Sequence, residues 1–252
     1  MKKYAHNFLC LCFIISLITL MLLYCSPSNN ESDALSSFVE DTVSFTCDET
    51  ESEIKAKNPA SLSFDNSTIY IGYYQKTGDN QDPVAAKFTD GNKDWCKIDY
   101  EVTGTDGRGI GLLWNGEDIL YGAFTVDGTQ GDESQDFRSF AANGWLKSAS
   151  DSSNGWGGGK VSIILKIDPD TGDGKLATFI SAKKSDGKTN SVLATDMSWD
   201  GENLTVYADS WYSPRKTDKS PMSCSGNSPF KYTIKFDADL SNAISAEAEN
   251  CN

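Results

Sequence analysis

Apolar residues are distributed along this chain in two different ways. Near the N-terminus they form one nearly unbroken run, from Phe8 to Tyr24, preceded by Lys2 and Lys3 and followed by the polar segment Cys25-Ser-Pro-Ser-Asn-Asn. Beyond residue 36 they come as short runs rich in Val, Ile, Tyr, Phe and Thr, each broken by Gly, Asn and Asp. Such runs predict β-strands separated by turns. No stretch there sustains a 3.6-residue apolar period. Helix is expected only as short turns, at residues 36–44 and 51–57.

One pattern recurs in the β region three times with the same internal spacing. Its copies are Phe64-Asp-Asn-Ser-Thr-Ile69-Tyr-Ile-Gly72, Trp114-Asn-Gly-Glu-Asp-Ile119-Leu-Tyr-Gly122 and Trp199-Asp-Gly-Glu-Asn-Leu204-Thr-Val-Tyr207. An aromatic residue, an Asx/Gly turn and an apolar strand make each copy a β-hairpin, with Asn-Gly and Asp-Gly supplying the positive φ of two-residue turns. A second hairpin follows each time. Its strands are Val84-Ala-Ala-Lys87-Phe88, Ile163-Ile-Leu-Lys166-Ile167 and Tyr232-Thr-Ile-Lys235-Phe236, each running into an Asp-rich turn and then another strand. The rising strands are expected at 95–102, 176–182 and 244–248. Each unit thus reads as four antiparallel strands, hairpin–loop–hairpin. The middle loops, near 75–83, 127–159 and 212–229, vary in length, and loops varying on a constant scaffold commonly carry binding.

Tandem four-stranded units are the blades of β-propellers. Ile69-Tyr-Ile-Gly72 with Val84-Ala-Ala-Lys87-Phe88 through Gly91 resembles the bacterial β-propeller repeat family of exported and surface proteins, over roughly residues 60–250. The resemblance implies an all-β, small propeller-like architecture and fixes no shared site. Because three units fall short of the usual four blades, a partial fourth near Val43–Cys47, a three-fold β-prism or β-trefoil, or a β-sandwich stays open.

The leading apolar run lies at the short edge of the ~20 residues that span a bilayer, and its basic start and polar end are those of a secretory signal. Leu22-Leu23-Tyr24-Cys25 resembles a bacterial lipobox, which implies cleavage before Cys25 and its acylation. Residues 1–24 are then the signal peptide, 25–42 a lipidated flexible tether, and 43–252 a single repeat domain. The implied location is the bacterial cell envelope, with the membrane reached through the N-terminal lipid; secretion is the alternative.

Cysteine usage agrees with export. Cys10 and Cys12 belong to the leader, and Cys25, Cys47, Cys96, Cys224 and Cys251 follow it. Giving Cys25 to a lipid leaves four to pair in an oxidising compartment. Local loop closure favours Cys47–Cys96 and Cys224–Cys251; meeting chain ends would instead favour Cys47–Cys251.

Composition chiefly excludes. The formal net charge is −14, which is unsuited to nucleic-acid phosphates. The single histidine, His6, lies in the leader, so a processed chain has no imidazole for triad catalysis or His-ligated zinc. Trp95, Trp114 and Trp199 occupy strand or repeat positions and are expected in the core. Trp156, in a Gly-rich loop, and Trp211-Tyr212 are the candidate ligand-binding aromatics, since exposed rings stack on sugars or anchor proteins. Asp168, Asp170 and Asp173, in Asp168-Pro-Asp-Thr-Gly-Asp173-Gly, are candidate ligands for Ca2+, although the same residues make good turns; no other cofactor is implied. Asp127, Asp132, Glu133 and Asp136 share one acidic loop, where paired carboxylates would serve glycoside hydrolysis. The expected function is a binding or surface module for a glycan, protein or cation, with a carboxylate-dependent polysaccharide hydrolase as the alternative.

Overall fold

The computed structural model describes residues 34–149 and 160–252. The leader, Cys25 and Trp156 lie outside the described residues. Among those described, the protein is all-β apart from one six-residue helix and two single 3-10 turns. Each expected unit is a four-stranded antiparallel meander. Unit 1 comprises β2 (Ala60–Phe64), β3 (Ser67–Gln75), β4 (Gln81–Thr89) and β5 (Asn92–Lys97). Unit 2 comprises β6 (Gly107–Trp114), β7 (Leu120–Val126), β8 (Val161–Ile167) and β9 (Gly174–Ile180). Unit 3 comprises β12 (Val192–Trp199), β13 (Asn203–Ser210), β14 (Phe230–Asp237) and β15 (Ala243–Ala248). A two-stranded ribbon, β10 (Ala182–Lys183) with β11 (Thr189–Asn190), links units 2 and 3.

Two expectations about the N-terminal part are corrected. Residues 36–44 hold no helix turn; Leu35–Phe38 form β1, which pairs antiparallel with β6 and makes unit 2 five-stranded. The folded body therefore begins inside the segment assigned to the tether. Residues 43–47 build no fourth unit either. They make a single parallel bridge, Ser44 to Tyr73, and then lie over the outer face of unit 1. Helix α1 (Glu51–Ala56) follows, started by a capping box in which Glu53 accepts from the Thr50 N–H at 2.8 Å.

The first turns also differ among units. Unit 1 has a two-residue turn, Phe64 pairing with Ser67 and Asp65 at φ 51°. Unit 2 has a wider loop at residues 115–119, in which the Asn115 side chain accepts the N–H groups of Glu117, Asp118 and Ile119. This Asx side chain adds to the backbone closure, in which the Asn115 N–H donates to the Ile119 carbonyl at 3.0 Å.

Repeat positions meet between units. The Phe64 ring stacks on Trp114, centroids 4.3 Å apart, and Trp199 lies 6.2 Å from Tyr121. The repeated lysine of units 1 and 2 reaches the Asp-rich turn of the next unit. Lys87 donates to the Pro169 carbonyl at 3.1 Å, and Lys166 to Asp239 at 3.1 Å. Close approach needs small residues at the joint: a Cβ on Gly109 would sit 2.1 Å from Ile71 of unit 1. β1 ties the units further, as Ser37 Oγ accepts from Ser61 N of unit 1 and Ser36 Oγ donates to Asp196 of unit 3 at 2.7 Å.

These contacts explain burial. Every residue of β7 in unit 2 is buried, as expected of a sheet covered on both faces. One apolar cluster runs through all three units; a second, of Phe45, Ile54, Tyr70, Val84, Ala86 and Phe88, lies between unit 1 and the N-terminal segment. Trp95 and Trp114 are buried, and Trp199 packs half-buried against the main cluster.

Both favoured disulfides are present, Cys47–Cys96 and Cys224–Cys251, spanning 49 and 27 residues. In the chain-entropy account, loops of these lengths correspond to about 4 and about 3.5 kcal/mol. The pair indicates an oxidising extracellular or periplasmic setting. Among the described residues, no helix is long and apolar enough to cross a membrane.

Candidate functional site

The most site-like surface gathers around Trp211. Strand β13 ends at Ser210, and the Trp211 N–H then donates to the Ser191 carbonyl at 3.2 Å, which fixes the backbone while the ring stays 40% exposed. Trp211 stands between two depressions. One, of ≈ 330 Å³, is lined by Lys160, Ser191, Leu193 and Trp211. The other, of ≈ 440 Å³, has Phe38, Val39, Ile110 and Leu193 on its apolar side and Glu40, Thr195 and Asp209 as polar groups. Leu193 and Trp211 wall both. Each volume falls in the range of small-molecule sites, where a mostly apolar lining carries a few polar groups. Asp209 is ion-paired to Lys231 at 2.6 Å.

Three separate elements meet here: β1, β6 and the β12–β13 edge. Sequence reasoning found Trp211 but missed Phe38, Val39 and Leu193, because no local motif announces that β1 crosses toward unit 3. Tyr212, next in sequence and 40% exposed, is not among the residues lining either depression. Its ring faces Lys184, whose ammonium lies 5.8 Å from the centroid, a cation–π distance.

The Asp168–Asp173 segment is the expected turn between β8 and β9. Asp168 accepts from the N–H groups of Asp170 and Thr171 and pairs with Lys175 at 3.1 Å. Asp173 pairs with Lys97 of unit 1 at 2.7 Å. These lysines, above all, hold both carboxyls below the ordinary range. Asp168 and Asp173 are thus engaged by cations and backbone donors. Among the described residues, no group of three or more His, Cys, Asp or Glu side chains is placed to hold a metal ion.

The acidic loop is likewise occupied by structural contacts. Asp132 caps a 3-10 turn by accepting from Ser134 N, and Asp127 pairs with Lys160 at 2.9 Å. Asp136 is buried and gripped by Arg138 at 2.7 Å, while Glu133 remains exposed. A carboxyl held well above the ordinary range lies elsewhere: burial pushes Glu101 up to about 7. With only 1% exposure, it is closed to a polymer chain. No protein-family model, curated protein or solved structure matches the chain.

Proposed function

We propose that this is an exported bacterial envelope protein, tethered through a lipid on Cys25, whose propeller-like repeat body binds a glycan across the Trp211 ridge. One observation carries the reading: an exposed, backbone-fixed indole separates two adjoining depressions with a shared apolar wall. A ring that is apolar on its face and carried on a hydrogen-bonded backbone suits the C–H face of a sugar and has only two side-chain torsions to order on binding. Two depressions suit two successive residues of a chain better than one small molecule. Chemistry narrows the glycan class: Glu40 in the groove, where Asp209 is paired with Lys231, and a net charge of −14 disfavour anionic polysaccharide. An uncharged or amino-bearing glycan fits.

Glycan-array profiling of the processed protein tests this. Signal is expected on neutral or amino-sugar oligosaccharides of two or more units and not on uronic or sulfated ones. Binding confined to anionic glycans would contradict the reading. Release of reducing ends from a bound polysaccharide, lost on Glu40→Gln, would instead support hydrolysis.

A further inference from the structure

The connection between units 1 and 2 buries oxygen atoms that the protein itself does not satisfy. Between β5 and β6 the chain runs Asp99-Tyr-Glu101-Val-Thr103-Gly-Thr105-Asp106. Glu101 is 1% and Thr105 2% exposed. Thr103 organises the turn: its N–H donates to Glu101 Oε1 at 2.7 Å, its hydroxyl also reaches that oxygen, and it accepts from Thr105 N at 3.2 Å. From the β3–β4 turn of unit 1, Asn80 Nδ2 donates to the Thr103 carbonyl at 3.2 Å and to Asp82 at 3.1 Å. Asp82, 2% exposed, is also held by Lys76 at 3.0 Å. Within this knot, Glu101 Oε2, Thr105 Oγ1 and Asn80 Oδ1 are buried oxygens without a hydrogen-bond partner.

Buried polar atoms are almost always paired, and leaving one unpaired is costly. Three in one knot is a concentration that calls for a ligand. All three are oxygens, from a carboxylate, an amide and a hydroxyl, which is the donor type hard cations choose. Charge leaves one carboxyl over: Lys76 pairs with Asp82 at 3.0 Å and Arg138 with Asp136 at 2.7 Å, whereas Glu101 has no ion pair among the described residues. Gly107 lets the start of β6 pass close to these groups, since a Cβ there would meet Pro83 at 2.9 Å and Glu101 Oε2 at 3.6 Å.

We propose that this connection binds a calcium ion, with Glu101 Oε2, Thr105 Oγ1 and Asn80 Oδ1 as protein ligands and water completing the shell. The ion fastens unit 1 to unit 2, joining the β3–β4 turn to the start of β6. One carboxylate with neutral donors places the affinity in the weak range of extracellular calcium modules, about 10⁻⁴–10⁻³ M. The site is distinct from the Asp168–Asp173 turn.

Thermal melting of the whole exported protein in chelator and in ~10 mM CaCl2 tests the proposal. A rise in Tm of about 3 °C or more is expected, from mass action at that affinity. Glu101→Gln keeps the shape and is expected to abolish the rise; Thr105→Val is expected to raise the calcium concentration giving half of it. Asp170→Asn, in the other turn, is expected to keep the rise intact. No rise in the wild type, or one that survives Glu101→Gln, would overturn the site. A rise lost only in Asp170→Asn would move the ion to the Asp168 turn and equally overturn it. If Glu101→Gln does not fold, Thr105→Val alone decides.

Discussion

Units 1 and 3 lie at opposite ends of the same repeat and finish their outer faces by opposite means. In unit 1 the outward residues of β3 and β4 are apolar: Tyr70, Val84, Ala86 and Phe88, all buried. The N-terminal segment covers them with Phe45 and Ile54, and Cys47–Cys96 staples that cover to β5. In unit 3 the strands alternate cleanly. Leu204, Val206 and Ala208 of β13 point inward, while Thr205, Tyr207 and Asp209 between them are exposed or half-buried. Lys231, Thr233 and Lys235 continue that polar face on β14. A terminal repeat must either be covered or carry a polar face; this chain does one at each end. Lys235 shows the consequence. Its counterparts Lys87 and Lys166 reach the next unit, whereas Lys235 pairs with Asp200 of its own unit at 2.5 Å, and that ion pair is the main cause holding the Asp200 carboxyl down to about 2.

Breaking the covered end is expected to have the largest effect. Phe45→Ala empties a fully buried site against Gly72 and should cost about 3–5 kcal/mol in denaturant unfolding; a cost below ~1 kcal/mol would mean that the N-terminal segment is not a structural cover. The joint between units comes next. Burial raises Glu101 from 4.5 to about 7, so the folded state holds that proton more tightly than the unfolded chain does. The associated stability is full below about pH 4.5 and is lost as pH rises toward 7. In chelator, Glu101→Gln should therefore be more stable than wild type at pH 8, by at most about 3 kcal/mol, with the gain absent at pH 4. Unfolding curves at the two pH values read this directly, and an equal effect at both would contradict it. The smallest change belongs to the open end. Tyr207→Ser removes a ring that is 39% exposed and should shift stability by no more than about 0.5 kcal/mol; a loss above ~2 kcal/mol would show that the face is covered after all.

What was legible in the sequence follows from range of interaction. The strand units could be read because alternation and Asp-Gly turns act within ten residues or so. Both disulfides followed from local loop closure. β1 could not be read: Leu35-Ser-Ser-Phe38 has two apolar ends and no strand signature, and its partner β6 begins at Gly107. The site shared this fate. Trp211 stood out as an aromatic in a loop, but its neighbours Phe38 and Leu193 are brought to it by β1 crossing between units. The turn at Asp168–Asp173 had calcium-like composition, yet Lys97, from the adjacent unit, pairs with one of its carboxyls. Glu101 and Thr105 carried no motif, because burial and the partner Asn80 are set by how unit 1 meets unit 2.

Calorimetric titration of an array-selected oligosaccharide into wild type and Trp211→Ala tests the central claim most directly, with circular dichroism confirming an unchanged fold. Trp211 is 40% exposed, so its loss should leave the melting temperature within about 2 °C while weakening binding by about tenfold or more, as expected for a central aromatic anchor worth over ~1.4 kcal/mol. Equal affinity in the two proteins would contradict the assignment of the Trp211 ridge as the binding surface.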